Sequence, residues 1–215
     1  MKNLLYKEFR LVINPLYFLT VLFGALLLIP QWPYFLAMLY LFFFIVPNVF
    51  TNAKAINDIG FTMMLPIRKR DVVKARVISV ATLELAQIVS AVPFAFLSMS
   101  FYPYGNMLID ANLAYLGFVF MMYGIFNVIF LPMYYKTAYK MGWALTFAIT
   151  ASVLFASAVE VLVAAVPAAN HAFDGLSGDA LIRQLPVLGA GILLFALLTV
   201  LAYWKSVTNF EKVDL

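Results

Sequence analysis

Residues 187–204 read VLGAGILLFALLTVLAYW, eighteen consecutive positions without a charged side chain. A helix of this length crosses most of the hydrocarbon layer of a bilayer, which is about 30 Å thick. The composition of the whole chain agrees, because 65% of its 215 residues are hydrophobic and only 11% are charged. A soluble core of this size does not bury so much apolar surface. Lipid is therefore expected to be the main solvent of the protein.

The same pattern recurs along the chain, where connections rich in proline, glycine or charge separate six apolar segments. The segments cover residues 16–29, 33–50, 77–99, 112–134, 142–166 and 187–204. They predict an all-α, polytopic membrane helix bundle with six spans, which forms one domain over residues 1–215. The first segment is short for a span, so a re-entrant hairpin made of the first two segments is the rival topology.

The residues before the first segment, 1–13, predict an amphipathic helix. Its apolar face is formed by Leu5, Phe9 and Val12, and its basic face by Lys7 and Arg10. A basic amphipathic helix lies in the headgroup layer, with its cations beside anionic lipid. The alternative is that this helix extends the first span, because Pro15 acts either as a stop or as a kink.

The positive charges are distributed unevenly over the predicted connections. Six spans place thirteen of the fourteen lysines and arginines on one side of the membrane and only Arg183 on the other. The thirteen are Lys2, Lys7, Arg10, Lys54, Arg68, Lys69, Arg70, Lys74, Arg76, Lys136, Lys140, Lys205 and Lys212. Because such residues accumulate on the cytoplasmic side, both termini are expected in the cytoplasm, and the protein in the cytoplasmic membrane. The net charge of +4 then reflects topology and not nucleic-acid binding.

The longest cytoplasmic connection, residues 51–76, is the segment most suggestive of function. Its centre reads NDIGFTMMLPIRKRD over residues 57–71. A solvated turn needs only polar residues, whereas an apolar run followed by proline and a basic cluster suits docking on a protein surface. The alternative is that residues 61–67 lie in the membrane interface while residues 68–76 bind phosphate headgroups.

A family resemblance is carried by two stretches, MKNLLYKEFRL at residues 1–11 and FTMMLPIRKR at residues 61–70. With these stretches, its length and its topology, the chain resembles the permease subunits of ABC-2-type transporters. The similarity is to the small six-helix kind that exports amphipathic or hydrophobic peptides, such as the exporters of phenol-soluble modulins.

The resemblance implies that residues 1–13 are an elbow helix and that residues 51–76 contain a coupling helix seated in a groove of a separate ABC ATPase. The coupling interface that it implies consists of Asp58, Gly60, Phe61, Met63, Met64, Leu65, Pro66, Ile67, Arg68 and Arg70. It also implies a second permease subunit in a homodimer or heterodimer. ATP and Mg are expected in the partner ATPase, because the ten glycines never form a phosphate-binding loop.

Two carboxylates, Glu84 and Glu160, fall inside predicted spans, where an ionisable side chain usually faces protein or water. One stripe of the fifth span contains Thr146, Thr150, Ser157 and Glu160. The stripe and Glu84 are candidates for the wall of a translocation path. The alternatives are interhelical hydrogen bonding for Glu160 and snorkelling to the cytoplasmic interface for Glu84.

Glycines in the fourth and sixth segments predict close helix packing. They are Gly117 and Gly124 in the fourth segment and Gly189 and Gly191 in the sixth. They form either contacts within one subunit or a seam between two subunits.

Three functional classes remain open. The leading expectation is the permease of an ATP-driven exporter of amphipathic or hydrophobic peptides, without catalytic residues of its own. A membrane sensor or immunity protein that binds a peptide without ATP has the same topology. An intramembrane enzyme would have to use Glu84, Glu160 and His171. One histidine and no cysteine leave a metal site without paired ligands, so no metal is expected.

Overall fold

The computed structural model describes residues 2–13, 15–101, 106, 108–137 and 140–213, with backbone alone for residues 15–21. Met1 and Asn14, which bound the predicted N-terminal helix, lie outside the described residues. The described part of the chain is helical and contains no strand. This agrees with the prediction of an all-α bundle.

The helices follow one another without long irregular connections among the described residues. The first is α1 (Lys2–Lys7), which continues as a π-helical turn (Glu8–Val12), and a 3-10 helix (Pro15–Leu28) follows. Then come α2 (Tyr34–Tyr40), a second π-helical turn (Leu41–Ile45), α3 (Val46–Ala55) and α4 (Asp58–Met63). The order ends with α5 (Lys69–Phe101), α6 (Leu113–Thr137), α7 (Gly142–Ala165), α8 (Pro167–Phe173) and α9 (Gly178–Glu211).

Five of the described helices are long and apolar enough to cross a bilayer. They are Tyr34–Ala55, which joins α2 to α3, and Lys69–Phe101, Leu113–Thr137, Gly142–Ala165 and Gly178–Glu211. Each overlaps one of the last five predicted segments, so the chain is a polytopic helical membrane protein. The first predicted segment, 16–29, is not among them, because it forms the 14-residue 3-10 helix.

Contacts between distant residues define two ends of the bundle. At one end, which we call the basic end, the Asn52 amide donates to the Val12 carbonyl at 2.9 Å, and the Lys69 ammonium donates to the Val213 carbonyl at 2.6 Å. At the opposite end, the Tyr115 hydroxyl donates to the Tyr34 carbonyl at 2.9 Å. The N-terminal helix and the end of α9 therefore lie at the same end of the protein.

Helix α6 occupies the centre of the bundle. Two thirds of its apolar window is buried (67%), against 28% for α7 and 22% for α9. The ring of Phe126 stacks on that of Phe42 with 3.7 Å between the centroids. The Tyr123 hydroxyl donates to Gln87 Oε1 at 3.0 Å, and the Gln87 amide donates to the Ala37 carbonyl at 2.8 Å. These bonds satisfy polar groups where lipid offers no partner.

Glycines allow α6 and α9 to pack with their backbones in contact. A Cβ atom on Gly117 would lie 2.7 Å from the Val187 carbonyl oxygen, and one on Gly124 would lie 3.1 Å from Phe195 Cα. A Cβ on Gly191 would collide with the backbone of Gly117, whereas one on Gly189 would meet nothing within 4 Å. Three of the four predicted glycines thus form a seam within one subunit, and Gly189 faces away from it.

Two acidic side chains hold the connections together at the opposite end. The Asp110 backbone N–H donates to Asp174 Oδ1 at 2.6 Å, and the Asn106 backbone N–H donates to Asp110 Oδ1 at 2.6 Å. Burial, together with the nearby charge of Asp174, raises the pKa of Asp110 to about 7. Burial also raises the pKa of Asp174.

The glycine seam predicts unequal effects of two neighbouring substitutions. Gly191→Ala forces α6 and α9 apart, and overpacking of this kind typically costs about 1–3 kcal/mol, which for a chain of this size lowers the melting temperature by roughly 3–10 °C. Gly189→Ala meets open space and leaves the melting temperature unchanged or slightly higher. Thermal unfolding in detergent measures both, and equal melting temperatures would show that the seam is not close-packed.

The raised pKa of Asp110 predicts a pH dependence of stability. The carboxyl ionises near 3.8 when unfolded and near 7 when folded, so the unfolded state binds fewer protons between these values and stability falls as the pH rises through them. We expect a lower melting temperature at about pH 8 than at about pH 5. Asp110→Asn should reduce this difference, whereas the exposed Asp179→Asn should leave it unchanged. An unaltered difference in Asp110→Asn would contradict the assignment.

Candidate functional site

The site is built on α4, which the chain reaches through a turn in the left-handed conformation. Asn57 has φ 48°, a conformation that asparagine adopts more readily than most residues. A Cβ on Gly60 would lie 2.7 Å from Asn57 Oδ1, so Gly60 lets the Asn57 side chain rest on α4. Asp58 and Thr62 on α4 are buried, and Phe61 points outward. The predicted coupling segment therefore contains a short helix with an inner polar face.

Large apolar side chains are exposed along α4 and the segment after it. Phe61 is 62% exposed, Met64 82% and Leu65 43%. The rest of the predicted interface is mixed, with Pro66, Arg68 and Arg70 exposed and Gly60, Met63 and Ile67 half-buried. We call residues 58–70 the docking loop. Its exposed apolar surface next to exposed cations lies at the basic end of the bundle.

The inner face of the docking loop is held by Lys7. Its ammonium lies 2.7 Å from Asp58 Oδ1, donates to Thr62 Oγ1 at 3.0 Å and lies 3.5 Å from Glu8 Oε1. This places the N-terminal helix directly against α4. The prediction placed Lys7 among lipid headgroups, and the structure differs because a buried carboxylate on α4 needs a cation more than the headgroup layer does. Arg10 is exposed, as a headgroup contact requires.

Arg76 on α5 completes the cluster. Its Nη2 donates to Asp58 Oδ2 at 2.8 Å, and its Nε lies 2.8 Å from Glu8 Oε2. Its guanidinium also lies over the Phe50 ring, 5.3 Å from the centroid. Because the Arg76 side chain is only 4% exposed, it does not bind phosphate headgroups, as one interpretation of residues 68–76 required. We call Lys7, Glu8, Asp58 and Arg76 the charge cluster.

The charge cluster is balanced, with two cations and two carboxylates, and lies largely out of solvent. Glu8 is fully buried and Asp58 is 4% exposed. Burial raises the pKa of Glu8, while Arg76 and Lys7 oppose that rise. Removal of one member leaves an unpaired buried charge, which is strongly destabilising. The cluster therefore fixes the positions of α1, α4 and α5 relative to one another.

Sequence reasoning missed Glu8, although a signal was present. Leu4, Glu8 and Val12 recur at spacings of four, and all three are buried, so they form the inward stripe of the N-terminal helix. Leu5 and Phe9, assigned to the apolar face, lie at its margin and are half-buried. Because Glu8 lies between Leu4 and Val12 on this inward stripe, its carboxylate is expected to be buried and to need a cationic partner.

Glu84 lies deep in the bundle. It is fully buried and accepts a hydrogen bond from the Asn127 amide at 2.8 Å, and that amide also donates to Thr199 Oγ1 at 3.2 Å. The predicted snorkelling of Glu84 is therefore wrong, because the side chain joins α5 to α6 and α9 instead of extending to the interface. Its Oε1 has no hydrogen-bond partner among the described residues.

The polar stripe of α7 lies on the outer surface of the subunit. Thr146, Thr150 and Ser157 are exposed, and Glu160 is half-buried. Thr146 bonds its own helix, donating to the Gly142 carbonyl at 3.0 Å, while Glu160 Oε1 has no hydrogen-bond partner among the described residues. Glu84 thus lies in the core of the subunit, whereas Glu160 is half-buried on α7 with its Oε1 shielded from solvent.

No three histidines, acids or cysteines of the described part of the chain lie close enough together to hold a metal ion. Glu84, Glu160 and His171, the side chains that an intramembrane enzyme would have to use, do not form such a group.

The charge cluster predicts a large effect for Arg76→Leu. The substitution leaves Glu8 and Asp58 buried with one cation fewer, a change that costs about 3–5 kcal/mol and lowers the melting temperature by roughly 10 °C. Arg70→Leu is the matched control, because it removes the same charge from an exposed position of the same helix. Thermal unfolding in detergent distinguishes them, and equal melting temperatures would contradict a structural role for the cluster.

Comparison with models of protein families identifies the family of the chain. The family model described as ABC-2 family transporter protein matches residues 3–211, nearly the whole chain. No curated protein and no solved structure matches the chain. The matched range includes the docking loop, the charge cluster and all five helices of spanning length. The chain therefore belongs to the ABC-2 family of transporter membrane proteins, as the multi-pass permease component of an ABC transporter.

Proposed function

We propose that the protein is the permease subunit of an exporter that moves amphipathic or hydrophobic peptides out of a bacterial cell. It works with a second permease subunit in the cytoplasmic membrane and with ABC ATPase subunits that bind ATP and Mg. The observation that carries this proposal is the docking loop, which exposes apolar side chains at the basic end and is anchored from behind by the charge cluster. The family match supports the transporter class and gives no substrate.

The docking loop has the properties of a protein interface. Phe61, Met64 and Leu65 are apolar and exposed beside Arg68 and Arg70. Aromatic residues, methionine and arginine are enriched in the cores of protein interfaces. A groove on an ATPase that accepts the apolar residues and offers acidic groups to the arginines would match this surface.

Movement of the docking loop reaches the membrane helices through the charge cluster. Asp58 on α4 binds Lys7 of the N-terminal helix and Arg76 of α5 at 2.7 and 2.8 Å. Because these charges are buried, separating them is strongly unfavourable, and α1, α4 and α5 are expected to move together. ATP-driven closure of the ATPases then displaces α5 and shifts the bundle between inward-facing and outward-facing states.

The proposed topology has six crossings and both termini in the cytoplasm. Val12 is bonded to Asn52 at the basic end, whereas Tyr34 is bonded to Tyr115 at the opposite end, so the residues between them connect the two ends. The 3-10 helix Pro15–Leu28 supplies the sixth crossing, because 14 residues at about 2.0 Å each extend about 28 Å. The N-terminal helix is then the elbow helix, with the exposed Arg10 towards lipid headgroups.

The α7 stripe supports pairing with a second permease subunit. Thr150 and Ser157 are exposed on a helix of mean hydropathy 2.1, where lipid gives hydroxyl and carboxyl groups no partner. A second subunit, with the translocation path between the two, gives the hydroxyls and the Glu160 carboxyl polar surroundings. Glu84 lies inside the subunit, so its contribution to the path requires rearrangement of the bundle.

Association with the ATPase tests the proposal directly. The tagged protein is purified from native membranes in mild detergent, and stoichiometric partners are identified by mass spectrometry. We expect an ABC ATPase to be recovered with the wild type and at least about tenfold less with Leu65→Asp, because a buried charge at a hot spot costs more than 1.4 kcal/mol. Ile182→Asp is the control, since Ile182 is exposed in the first turns of α9, at the opposite end.

The outcomes separate the functional classes. Equal recovery with Leu65→Asp and Ile182→Asp would contradict the docking loop but not the ATPase partnership. Reproducible absence of an ATPase from the folded wild-type protein would contradict the exporter and favour an ATP-independent sensor or immunity protein. If the protein hydrolysed a membrane substrate, and if removal of Glu84 and Glu160 abolished that hydrolysis, the result would favour the enzyme.

A further inference from the structure

A cavity of about 630 Å³ opens at the basic end, apart from the docking loop. It lies where α3 and α6 end and α7 begins. Its lining includes Lys54, Lys136 and Lys140 and the apolar side chains of Met133, Met141, Trp143 and Ala144. The volume is in the range of small-molecule and headgroup sites.

The cavity carries three positive charges without neutralisation. No aspartate or glutamate is among the described residues that line it. Lys54, Lys136 and Lys140 take part in no salt bridge among the described residues, in contrast to Lys7 and Arg76 of the charge cluster. Three like charges around one opening attract an anion with more than one oxygen acceptor, such as a phosphate group.

The apolar side of the cavity continues onto the surface of α7. Trp143 is 75% exposed and stacks on Phe147, which is 53% exposed, with 5.9 Å between the ring centroids. Tryptophan at the end of a spanning helix is typical of the membrane interface. The aromatic pair therefore leads from the lysines along the surface of α7 towards hydrocarbon, a course that suits an acyl chain and gives a free phosphate ion no contact.

We propose that this cavity binds the headgroup of an anionic phospholipid. Lys54, Lys136 and Lys140 hold the phosphate, and Trp143 with Phe147 contacts the first carbons of one acyl chain. The cavity is separate from the docking loop, so it does not depend on the ATPase. Its aromatic pair flanks Thr146 at the start of the α7 stripe, so the bound lipid would adjoin the proposed second permease subunit there. A lipid bound there would tie the end of α6 and the start of α7 to the leaflet at the basic end.

Native mass spectrometry of the detergent-purified protein tests the site with phosphatidylglycerol and phosphatidylcholine of the same acyl chains. Wild type is expected to bind one phosphatidylglycerol at least about tenfold more tightly than phosphatidylcholine. A triple variant, Lys54→Gln, Lys136→Gln and Lys140→Gln, should bind phosphatidylglycerol about 100-fold more weakly than the wild type, since each ammonium contributes about fivefold to the affinity. The control is a second triple variant, Lys74→Gln, Lys205→Gln and Lys212→Gln, which removes the same charge from exposed positions outside the cavity. Its affinity for phosphatidylglycerol should fall less than about twofold.

Two further arms separate a lipid site from a simple anion site. Trp143→Ala should weaken phosphatidylglycerol binding, and excess inorganic phosphate should not displace the lipid. Displacement by inorganic phosphate would overturn the lipid assignment in favour of a phosphate site. Equal losses in the two triple variants, with unchanged melting temperatures, would overturn the cavity as the place of binding.

Discussion

Hydrocarbon offers no hydrogen-bond partner and little stabilisation of charge, and this constraint governs the arrangement of the whole chain. Backbone groups bond within helices, and buried side chains bond one another, as Gln87 does with Tyr123 and Glu84 with Asn127. For the same reason the charged residues, apart from Glu84 and Glu160, lie towards the ends of the bundle, and most of the cations lie at the basic end. Charged residues that must still be buried there form a balanced cluster, because one unpaired member would be strongly unfavourable.

The charge cluster gives the basic end a different character from the membrane interior. In the interior, glycines bring α6 and α9 into backbone contact, and packing specifies the geometry. At the basic end, α4 is a helix of six residues in which Ile59 is the one buried apolar side chain, and ion pairs from Asp58 help to specify its position. A short helix positioned by charges leaves Phe61 exposed, as the proposed docking on another protein requires.

Five of the six segments, and the position of both chain ends at one end of the bundle, were predictable because both depend on local composition. Long apolar runs required helices of spanning length, and the uneven placement of lysine and arginine predicted that the chain ends share one side. The partners of Glu8 and Glu84 were not predictable, since Arg76 lies 68 positions from Glu8 and Asn127 lies 43 from Glu84. Likewise, spacing alone does not tell Gly191, in the seam, from Gly189, outside it. The 3-10 form of residues 15–28 had no sequence signal.

Helix α5, which contains Pro93, runs from the charge cluster to the opposite end, where the Ser98 and Tyr34 hydroxyls lie 3.2 Å apart. Arg76 and Ser98 are 22 positions apart, which is about 33 Å of helix. A tilt of about 5° around Arg76 therefore displaces Ser98 by about 3 Å, enough to separate two hydrogen-bonded atoms. In the proposed transport cycle, a small tilt of α5 at the basic end would therefore open a gap of atomic size at the opposite end.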